Sequence, residues 1–312
     1  MTPTVSVIIP YYNRAHTIGR AIDSILCQTM QAFEIVVVDD ASSDDLSTAL
    51  APYAGDPRVR SVRHATNKGP GAARNTGVAE ARGRFVAFLD SDDAWLPAKL
   101  DRQIEAVLAA SDPERVFCVT KHRVLLDAGR EIVRPLRGCG AGSSFAEFLY
   151  LQGGSNPVSA WFLPRNLAAQ VQFREDMRQL EDHLFFIEIG ATGAEYLLVD
   201  EVLTVWHNES APGRASAAAD LANWYQTFRR FQERAAPLVR APVLLVAEAR
   251  FVCGLAPARF VALITRALLT GTLSPRQVVF LFARSILPSG LYDQARAFIG
   301  RFSASQLAQE KQ

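Results

Sequence analysis

The sequence predicts an α/β fold, a mostly parallel sheet with helices on both faces, followed by a C-terminal helical extension. Short apolar runs rich in Val and Ile alternate with helical repeats through the first 120 residues, which is typical of parallel sheets covered by helices. From residue 221 onward the apolar pattern is helical and is interrupted by prolines. With 49% hydrophobic and 21% charged residues over 312 positions, the composition excludes disorder and allows one large domain plus an appendage.

The predicted elements of the first 120 residues alternate between strand and helix. VSVIIP (5–10) is a β-branched apolar run of the kind that forms a strand buried on both faces. The next helix is marked by Ile18, Ile22 and Ile25, which recur at helical spacing. Further strands are predicted at FEIVVVDD (33–40), near Val59, at RFVAFLD (84–90) and at VFCVT (116–120), with helices over GPGAARNTGVAEARG (69–83) and around Leu100.

The remainder of the chain is less regular before it becomes helical. Two Gly-rich stretches, GCGAGSS (138–144) and LQGGSNP (151–157), predict loops. QLEDHLFFIEIG (179–190) predicts a helix with two acidic residues at its start. FVALITRALL (260–269) and VVFLFARSIL (278–287) are apolar with interspersed arginines, so they fit helices packed on the same subunit or helices lying on a bilayer surface.

Charge is divided unevenly along the chain. Residues 221–312 carry 12 Lys and Arg against 4 Asp and Glu, a net charge of +8, which leaves −7 on residues 1–220. An acidic front suits cation binding, and a basic, apolar tail suits an anionic surface such as phospholipid headgroups. No apolar run is long enough to span a membrane, and the start does not resemble a signal peptide.

The cysteines lie far apart and lack the spacing of a metal site or a redox motif, so they are interpreted as reduced thiols: Cys27, Cys118, Cys139 and Cys253. Together with the charge pattern, they predict a cytoplasmic protein. Two arrangements of the tail stay open, peripheral docking on the inner face of an anionic membrane and packing on the same subunit.

Polar residues follow three of the predicted strands at the point where each strand ends. They are Tyr11-Tyr12-Asn13, Asp39-Asp40 and Asp90-Ser91-Asp92. Ligands of open α/β sheets bind beyond the carboxyl ends of the strands, so we expect these residues to line one crevice. A helix cap supplied by Asp93 or a neighbour would explain one carboxylate of this run, but not a whole acidic rim.

Three carboxylates lie within four positions, at Asp90, Asp92 and Asp93. They repel one another, which predicts a positively charged partner. Mg²⁺ or Mn²⁺ fits that role, because hard cations take one or two carboxylates together with substrate phosphates. The same phosphates would meet Arg74 and the amides at the start of its helix. The stretch GPGAAR (69–74) lacks the third glycine of a dinucleotide fingerprint, which argues against NAD binding.

Three segments together resemble the family 2 glycosyltransferases, inverting enzymes with the GT-A fold: VSVIIPYYNR (5–14), SILCQTMQAFEIVVVDDASSDD (24–45) and NKGPGAARNTGVAEARGRFVAFLDSDDAWLPAKL (67–100). The resemblance is close over about residues 3–120 and thinner as far as about residue 210. It implies a GT-A domain over 1–215, with a nucleotide-sugar-binding half at 1–120 and an acceptor and catalytic half at 121–215, followed by a helical region at 216–312.

The resemblance implies a role for each matching residue. Those expected to bind the nucleotide sugar are Pro10, Tyr11, Asn13, Asp39, Asp40, Lys68, Gly69, Arg74, Asp90 and Ser91. Of these, Asp40 is expected to bond the base and Asp39 to support its loop. Arg74 is expected near the diphosphate, with helix packing beside Asn75 as the alternative. Asp90-Ser91-Asp92 matches the DXD motif, in which Asp92 would be the direct metal ligand. Asp90, and His207 from outside the motif, would make further contacts with the metal.

Glu181-Asp182 is similar to the ED motif of the family, whose aspartate acts as the catalytic base. A sugar hydroxyl is a poor nucleophile, and a carboxylate beside it can take its proton during attack. The resemblance therefore implies Asp182 as the base and Glu181 as an orienting residue. A stabilising carboxylate at the start of a helix is the alternative for Asp182. Trp161 is expected in the core, with the acceptor pocket as the alternative.

The resemblance implies a metal-dependent, inverting hexosyltransferase that moves one sugar from a nucleotide-sugar donor, foremost a UDP-sugar, to an acceptor hydroxyl. The family commonly serves cell-envelope polysaccharide or glycolipid assembly, so a saccharide or lipid-linked acceptor is expected and nucleic acid is not. Processive members carry membrane spans and a QxxRW motif, which this sequence lacks. Two other functions stay open, a non-catalytic nucleotide-sugar-binding module and a sugar-1-phosphate nucleotidyltransferase, whose Gly-rich loop is replaced here by YYNRAHT (11–17).

Overall fold

The computed structural model describes residues 3–208, 221–252, 257–271, 273–274 and 278. Its strands are β1 (Val5–Tyr11), β2 (Phe33–Asp39), β3 (Val59–Arg63), β4 (Phe85–Phe88), β5 (Ala94–Trp95), β6 (Val116–Leu126), β7 (Arg130–Arg134), β8 (Trp161–Pro164) and β9 (Glu195–His207). Its α-helices are α1 (Ala15–Leu26), α2 (Leu46–Leu50), α3 (Pro70–Glu80), α4 (Lys99–Leu108), α5 (Phe145–Tyr150), α6 (Arg165–Val171), α7 (Glu181–Ala191), α8 (Leu221–Ala235), α9 (Ala241–Val252) and α10 (Pro257–Leu269).

The first four strands form a parallel array in the order β3-β2-β1-β4. Strands β1 and β2 are paired over their full length, from Val5 beside Phe33 to Tyr11 beside Asp39. Both are buried on both faces, as their continuous Val and Ile content predicts. Because the strands run in the same direction, their carboxyl ends meet at one edge of the sheet.

Beyond β4 the sheet is mixed, in the order β4-β8-β6-β9-β5, with β7 pairing with β6. Strand β8 is antiparallel to both of its neighbours, so β6 runs in the same direction as β4. Strand β9 is parallel to β6 and therefore ends at the same edge as β1. The predicted α/β class with a C-terminal helical region is confirmed, and the parallel pairing that the sequence predicts is concentrated in the first half. The predicted division at 120/121 lies within the continuous strand β6.

The helices begin and end where local signals place them. Proline occupies the first position of α3 and α10 and the second position of α9, where its missing N–H has no cost. Helix α3 packs closely on β1 because residue 77 is glycine; a Cβ there would lie 2.2 Å from Ile8 Cγ2. Helix α4 begins at Lys99 and its N-cap, Ala98, offers no side-chain cap. The capping interpretation of Asp93 is therefore wrong.

Two apolar groups make up much of the core described in the first unit of the chain. One lies between the sheet and α1, where Ile18, Ile22 and Ile25 are buried against β1 and β2 as their spacing predicts. The other is aromatic: Trp161 is 1% exposed and stacks at 5.6 Å from Phe185 and at 6.2 Å from Phe173. Trp161 is therefore a core residue, as expected.

The chain forms two compact units, residues 1–239 and 240–312. Helix α8 belongs to the first unit, and α9 and α10 belong to the second. The predicted boundary at 215/216 lies outside the described residues, as does most of VVFLFARSIL (278–287). In the part of the chain that the structure describes, no helix combines the length and the apolar character that crossing a membrane requires.

Candidate active site at the carboxyl edge of the sheet

The turn after β4 carries the DSDD run and is held in place by Asp93. This carboxylate is 1% exposed and accepts hydrogen bonds from the Ser159 hydroxyl and, at 3.0 Å, from the His207 backbone N–H. The same Ser159 hydroxyl accepts the Asp90 backbone N–H at 3.1 Å. Asp93 therefore braces the turn against the end of β9.

Arg74 joins this turn to the ED motif. Its guanidinium donates to Asp90 Oδ1 and to Glu181 Oε1, each at 2.9 Å, and lies 5.3 Å from the centre of the Phe173 ring. Burial lowers the pKa of Arg74, but the carboxylates of Asp90 and Glu181 outweigh that effect and raise it. Because Arg74 is 5% exposed and both terminal nitrogens are engaged, it links the two acidic motifs within the protein.

The ED motif opens α7 and follows a strained residue. Leu180 has φ of 64°, a left-handed conformation that non-glycine residues rarely adopt outside functional sites. Glu181 is 6% exposed, and burial together with the Asp182 carboxylate raises its pKa against the opposing effect of Arg74. Asp182 is half-buried, and its Oδ1 accepts the His183 backbone N–H at 2.8 Å. The more accessible carboxylate of the pair is thus Asp182.

Asp40 holds the loop that leads from β3 to α3. Its Oδ1 accepts the Lys68 backbone N–H and contacts His64 Nδ1, both at 2.8 Å, and its Oδ2 accepts the Gly69 N–H at 2.7 Å. Gly69 has φ of 95°, which suits glycine, and Lys68 is exposed. Asp40 is 3% exposed and therefore shapes the loop directly, while its contact with a base stays a prediction.

Asp39 and Asn13 support the neighbouring loop. Asp39 accepts the Ser42 backbone N–H at 2.9 Å and pairs with Arg63 at 2.6 Å, as its expected supporting role requires. Asn13, with φ of 52°, accepts the backbone N–H groups of residues 43 and 44 through Oδ1. Both residues lie at the carboxyl edge, and both serve the backbone of residues 42–44.

The two tyrosines after β1 have opposite environments. Tyr11 is 1% exposed; burial, and the nearby Asp44 carboxylate, raise its pKa. Tyr12 is 49% exposed at the rim, beside the half-buried Pro10. The sequence predicts Tyr12 at the crevice but assigns the nucleotide-binding role to Tyr11, although the alternation of Val5, Val7 and Ile9 places Tyr11 in the core beside α1. The aromatic ring that a ligand can reach is therefore that of Tyr12.

The donor atoms fit a hard cation that is shared with a diphosphate. Among the described residues, no group of three or more His, Cys, Asp or Glu side chains could hold a metal ion by itself. Mg²⁺ needs only one or two carboxylates when phosphates and water complete its shell, and Asp90 and Asp92 are the two that would supply them. Burial is the largest cause of the raised pKa of Asp93, and the negative charges of Asp90 and Asp92 are the next largest. Negative charge is therefore concentrated at this turn. His207 adjoins the site through its backbone bond to Asp93.

Comparisons with solved structures identify the fold. Staphylococcus aureus TarS 1–349 in complex with UDP-GlcNAc superposes with a TM-score of 0.62 over 90% of this chain and 86% of that chain, at 17% sequence identity. TarS shares the GT-A fold, so the observed mixed sheet with its helices is a GT-A fold.

Sequence comparisons identify the family. Residues 6–127 match the family described as Glycosyl transferase family 2. An uncharacterized glycosyltransferase of Rickettsia felis is 34% identical over 187 residues, which are 60% of this chain and 30% of that protein. Escherichia coli WfgD, described as a UDP-Glc:alpha-D-GlcNAc-diphosphoundecaprenol beta-1,3-glucosyltransferase, is 44% identical over 104 residues, 33% of this chain and 41% of WfgD. The matched region, residues 6–127, is thus a family 2 glycosyltransferase region, and the chain spans about a third of the length of the curated relatives it matches first.

Proposed function

We propose that this chain transfers one sugar, with inversion, from a nucleotide-sugar donor to an acceptor hydroxyl. The observation that carries the proposal is the Arg74 bridge, because it ties the DSD carboxylate Asp90 to the ED carboxylate Glu181 within one buried network. A donor site and a base are thereby held in a fixed relation, which a displacement reaction requires. The family assignment also argues against the nucleotidyltransferase alternative.

Asp182 acts as the general base in this proposal. The acceptor oxygen attacks the anomeric carbon as its proton passes to the Asp182 carboxylate; the new C–O bond forms while the bond to the diphosphate oxygen breaks. A single displacement inverts the configuration. Glu181 is buried against Arg74 and orients the start of α7, whereas Asp182 is more accessible and carries no ion pair to Arg74.

The nucleotide part of the donor lies against the loops held by Asp39, Asp40 and Asn13. The exposed ring of Tyr12 supplies a face on which the base stacks, and the loop at residues 64–69 supplies the opposite wall. A UDP-sugar is the donor we favour, since TarS was crystallised with UDP-GlcNAc and WfgD is named for UDP-Glc.

Mg²⁺ or Mn²⁺ would be held by Asp92 with Asp90, and when bound it would neutralise the departing nucleoside diphosphate. His207 would approach the same ion or the phosphates. The protein itself contributes a preformed turn, since Asp93 and Ser159 hold the backbone that presents these carboxylates.

The acceptor we propose is a saccharide or a lipid-linked saccharide of cell-envelope polysaccharide or glycolipid assembly, since WfgD is named for an alpha-D-GlcNAc-diphosphoundecaprenol substrate. Docking on the inner face of an anionic membrane belongs to the same proposal. In the second unit, α10 exposes Val261, Leu268 and Leu269, with 82% exposure at Leu269, beside the basic Arg266. Flotation with phosphatidylglycerol vesicles tests this part, and failure to float at low salt would contradict it.

The experiment that tests the proposal incubates the full chain with Mn²⁺, a panel of UDP-, GDP- and TDP-sugars and polyprenyl-diphosphate-linked saccharides. Transfer is followed by mass spectrometry, and the anomeric configuration of the product is read by NMR. We expect one sugar added per acceptor with the configuration opposite to that of the donor. Retained configuration, or binding of every donor without transfer to any acceptor, would contradict the proposal, and the latter result would favour a binding module.

A further inference from the structure

A second cavity lies at the edge of the sheet opposite the candidate active site. It has a volume of about 440 Å³ and is lined by Arg82, Arg84 and Arg165 together with Pro3, Thr4, Gly83 and Asn166. Strands β1 and β4 begin beside it, and β8, which is antiparallel to β4, ends there. It is therefore separated from the DSD and ED motifs by the length of the parallel strands.

The arginines of this cavity exceed the carboxylates that pair with them. Arg84 pairs with Glu114 at 2.6 Å, and Arg165 donates one N–H to the Ala81 carbonyl at 2.6 Å. The guanidinium of Arg82 makes no hydrogen bond or ion pair with any described residue, although its backbone N–H binds the Glu34 carboxylate. That carboxylate is already paired with Arg60 at 3.2 Å. The cavity thus keeps positive charge that the protein does not neutralise.

This concentration of arginine contrasts with the surrounding charge. Residues 1–220 carry a net charge of −7, yet three arginines line one concave site within them. Mutual repulsion of like charges opposes folding, so a ligand of opposite charge is the simpler reason for the proximity of the three arginines. Guanidinium groups bind phosphate through paired N–H donors, and the volume accommodates a diphosphate or a headgroup.

We propose that this cavity binds a phosphate-bearing anion at a site separate from the sugar-transfer site. The proposal does not depend on the assigned reaction. Arg82 is the residue to test first, because its guanidinium makes no hydrogen bond or ion pair with any described residue, so its replacement leaves the other described hydrogen bonds and ion pairs intact. Arg130, an exposed arginine at the start of β7, is the matched control for loss of one positive charge.

The experiment titrates pyrophosphate calorimetrically into the full-length wild type, Arg82→Gln, Arg82→Gln/Arg165→Gln and Arg130→Gln. Any binding at the catalytic edge is common to all four proteins, so a difference between variants reports the cavity. We expect about tenfold weaker binding in Arg82→Gln, a larger loss in the double variant and no change in Arg130→Gln. Thermal unfolding and sugar transfer should be unchanged in Arg82→Gln.

A second arm distinguishes the source of the phosphate. Flotation with phosphatidylglycerol vesicles that depends on Arg82 and not on Arg130 would assign the site to a lipid headgroup. If pyrophosphate binding depends on Arg82 but vesicle flotation does not, the site would be assigned to a soluble phosphate compound. Equal behaviour of Arg82→Gln, the double variant and Arg130→Gln in both arms would overturn the proposal.

Discussion

The guanidinium of Arg74 donates a hydrogen bond to Glu181 Oε1 at 2.9 Å, across 107 positions of the chain. Its other terminal nitrogen binds Asp90, so one buried side chain connects the two acidic motifs.

Arg74→Gln should destabilise the protein and nearly abolish transfer. Removing one partner of a buried ion pair leaves the other charge uncompensated, at a cost of about 3–5 kcal/mol in the free energy of unfolding. Urea unfolding and transfer assays measure the two effects. The double variant Arg74→Gln/Glu181→Gln should recover part of the lost stability, because it removes the uncompensated charge. No recovery would contradict the assigned pairing.

Arg102→Lys is the control, at an exposed pair with Glu105, and should change the free energy of unfolding by less than about 0.5 kcal/mol.

Asp182→Asn should fold and bind the donor but lose transfer by about 10²-fold or more, the usual scale for removal of a general base. Turnover and donor affinity are measured separately, since only turnover should fall. Asp200→Asn is the matched control, because the Asp200 side chain is 76% exposed on β9. Near-normal turnover in Asp182→Asn would remove this residue from the proposed role.

Tyr12→Ala should weaken UDP binding about tenfold without changing stability, because base stacking on an aromatic ring contributes about 1–3 kcal/mol. Calorimetry with UDP gives the affinity. Tyr11→Phe is the contrasting variant. It removes the buried hydroxyl of Tyr11 and leaves the exposed ring of Tyr12 in place, so UDP affinity should not change. If Tyr11→Phe weakened binding and Tyr12→Ala did not, the assignment of the two rings would be reversed.

Asp92→Ala should remove the metal-dependent part of UDP binding. In the wild type we expect Mn²⁺ to increase UDP affinity at least about tenfold, and chelation with EDTA to reverse the gain. The variant should bind UDP equally with and without Mn²⁺, while Asp200→Ala should behave as the wild type. Binding that is indifferent to metal in the wild type would contradict the cation site.

Lys99 should make stability increase with pH above neutrality. Its ammonium group is fully buried, 3.9 Å from the centre of the Trp95 ring and 2.6 Å from Gln103 Oε1, and burial lowers its pKa to about 7. Above about pH 7 the unfolded chain keeps a proton on Lys99 that the folded chain has lost, so this group makes the free energy of unfolding rise with pH. Burial raises the pKa of the neighbouring Cys118 thiol, which opposes the rise above about pH 8.5. The slope should approach about 1.4 kcal/mol per pH unit and should be absent in Lys99→Met. Equal slopes in the two proteins would contradict this account.

Much of the fold could be read from short stretches, because burial on both faces of a strand requires a local run of apolar residues. β1, β2 and α3 lie where their Val and Ile content and their proline and glycine predict. The insertion of β8 between β4 and β6 could not be read in this way. Strand order depends on pairing between distant segments, and WFLP (161–164) carries no local mark of its neighbours.

The sequence by itself determined the chemistry available to this protein: which carboxylates follow which strands, and that an acidic pair opens α7. Tertiary structure alone decided what each of them touches. Asp93 braces the turn because Ser159 and His207 come from distant segments of the chain, and Arg74 links the two acidic motifs because α3 and the start of α7 lie close together. The physical reason is the distance along the chain over which each effect acts. Propensity and periodicity act over a few residues, whereas burial, pKa and ion pairing depend on groups that only the folded chain brings together.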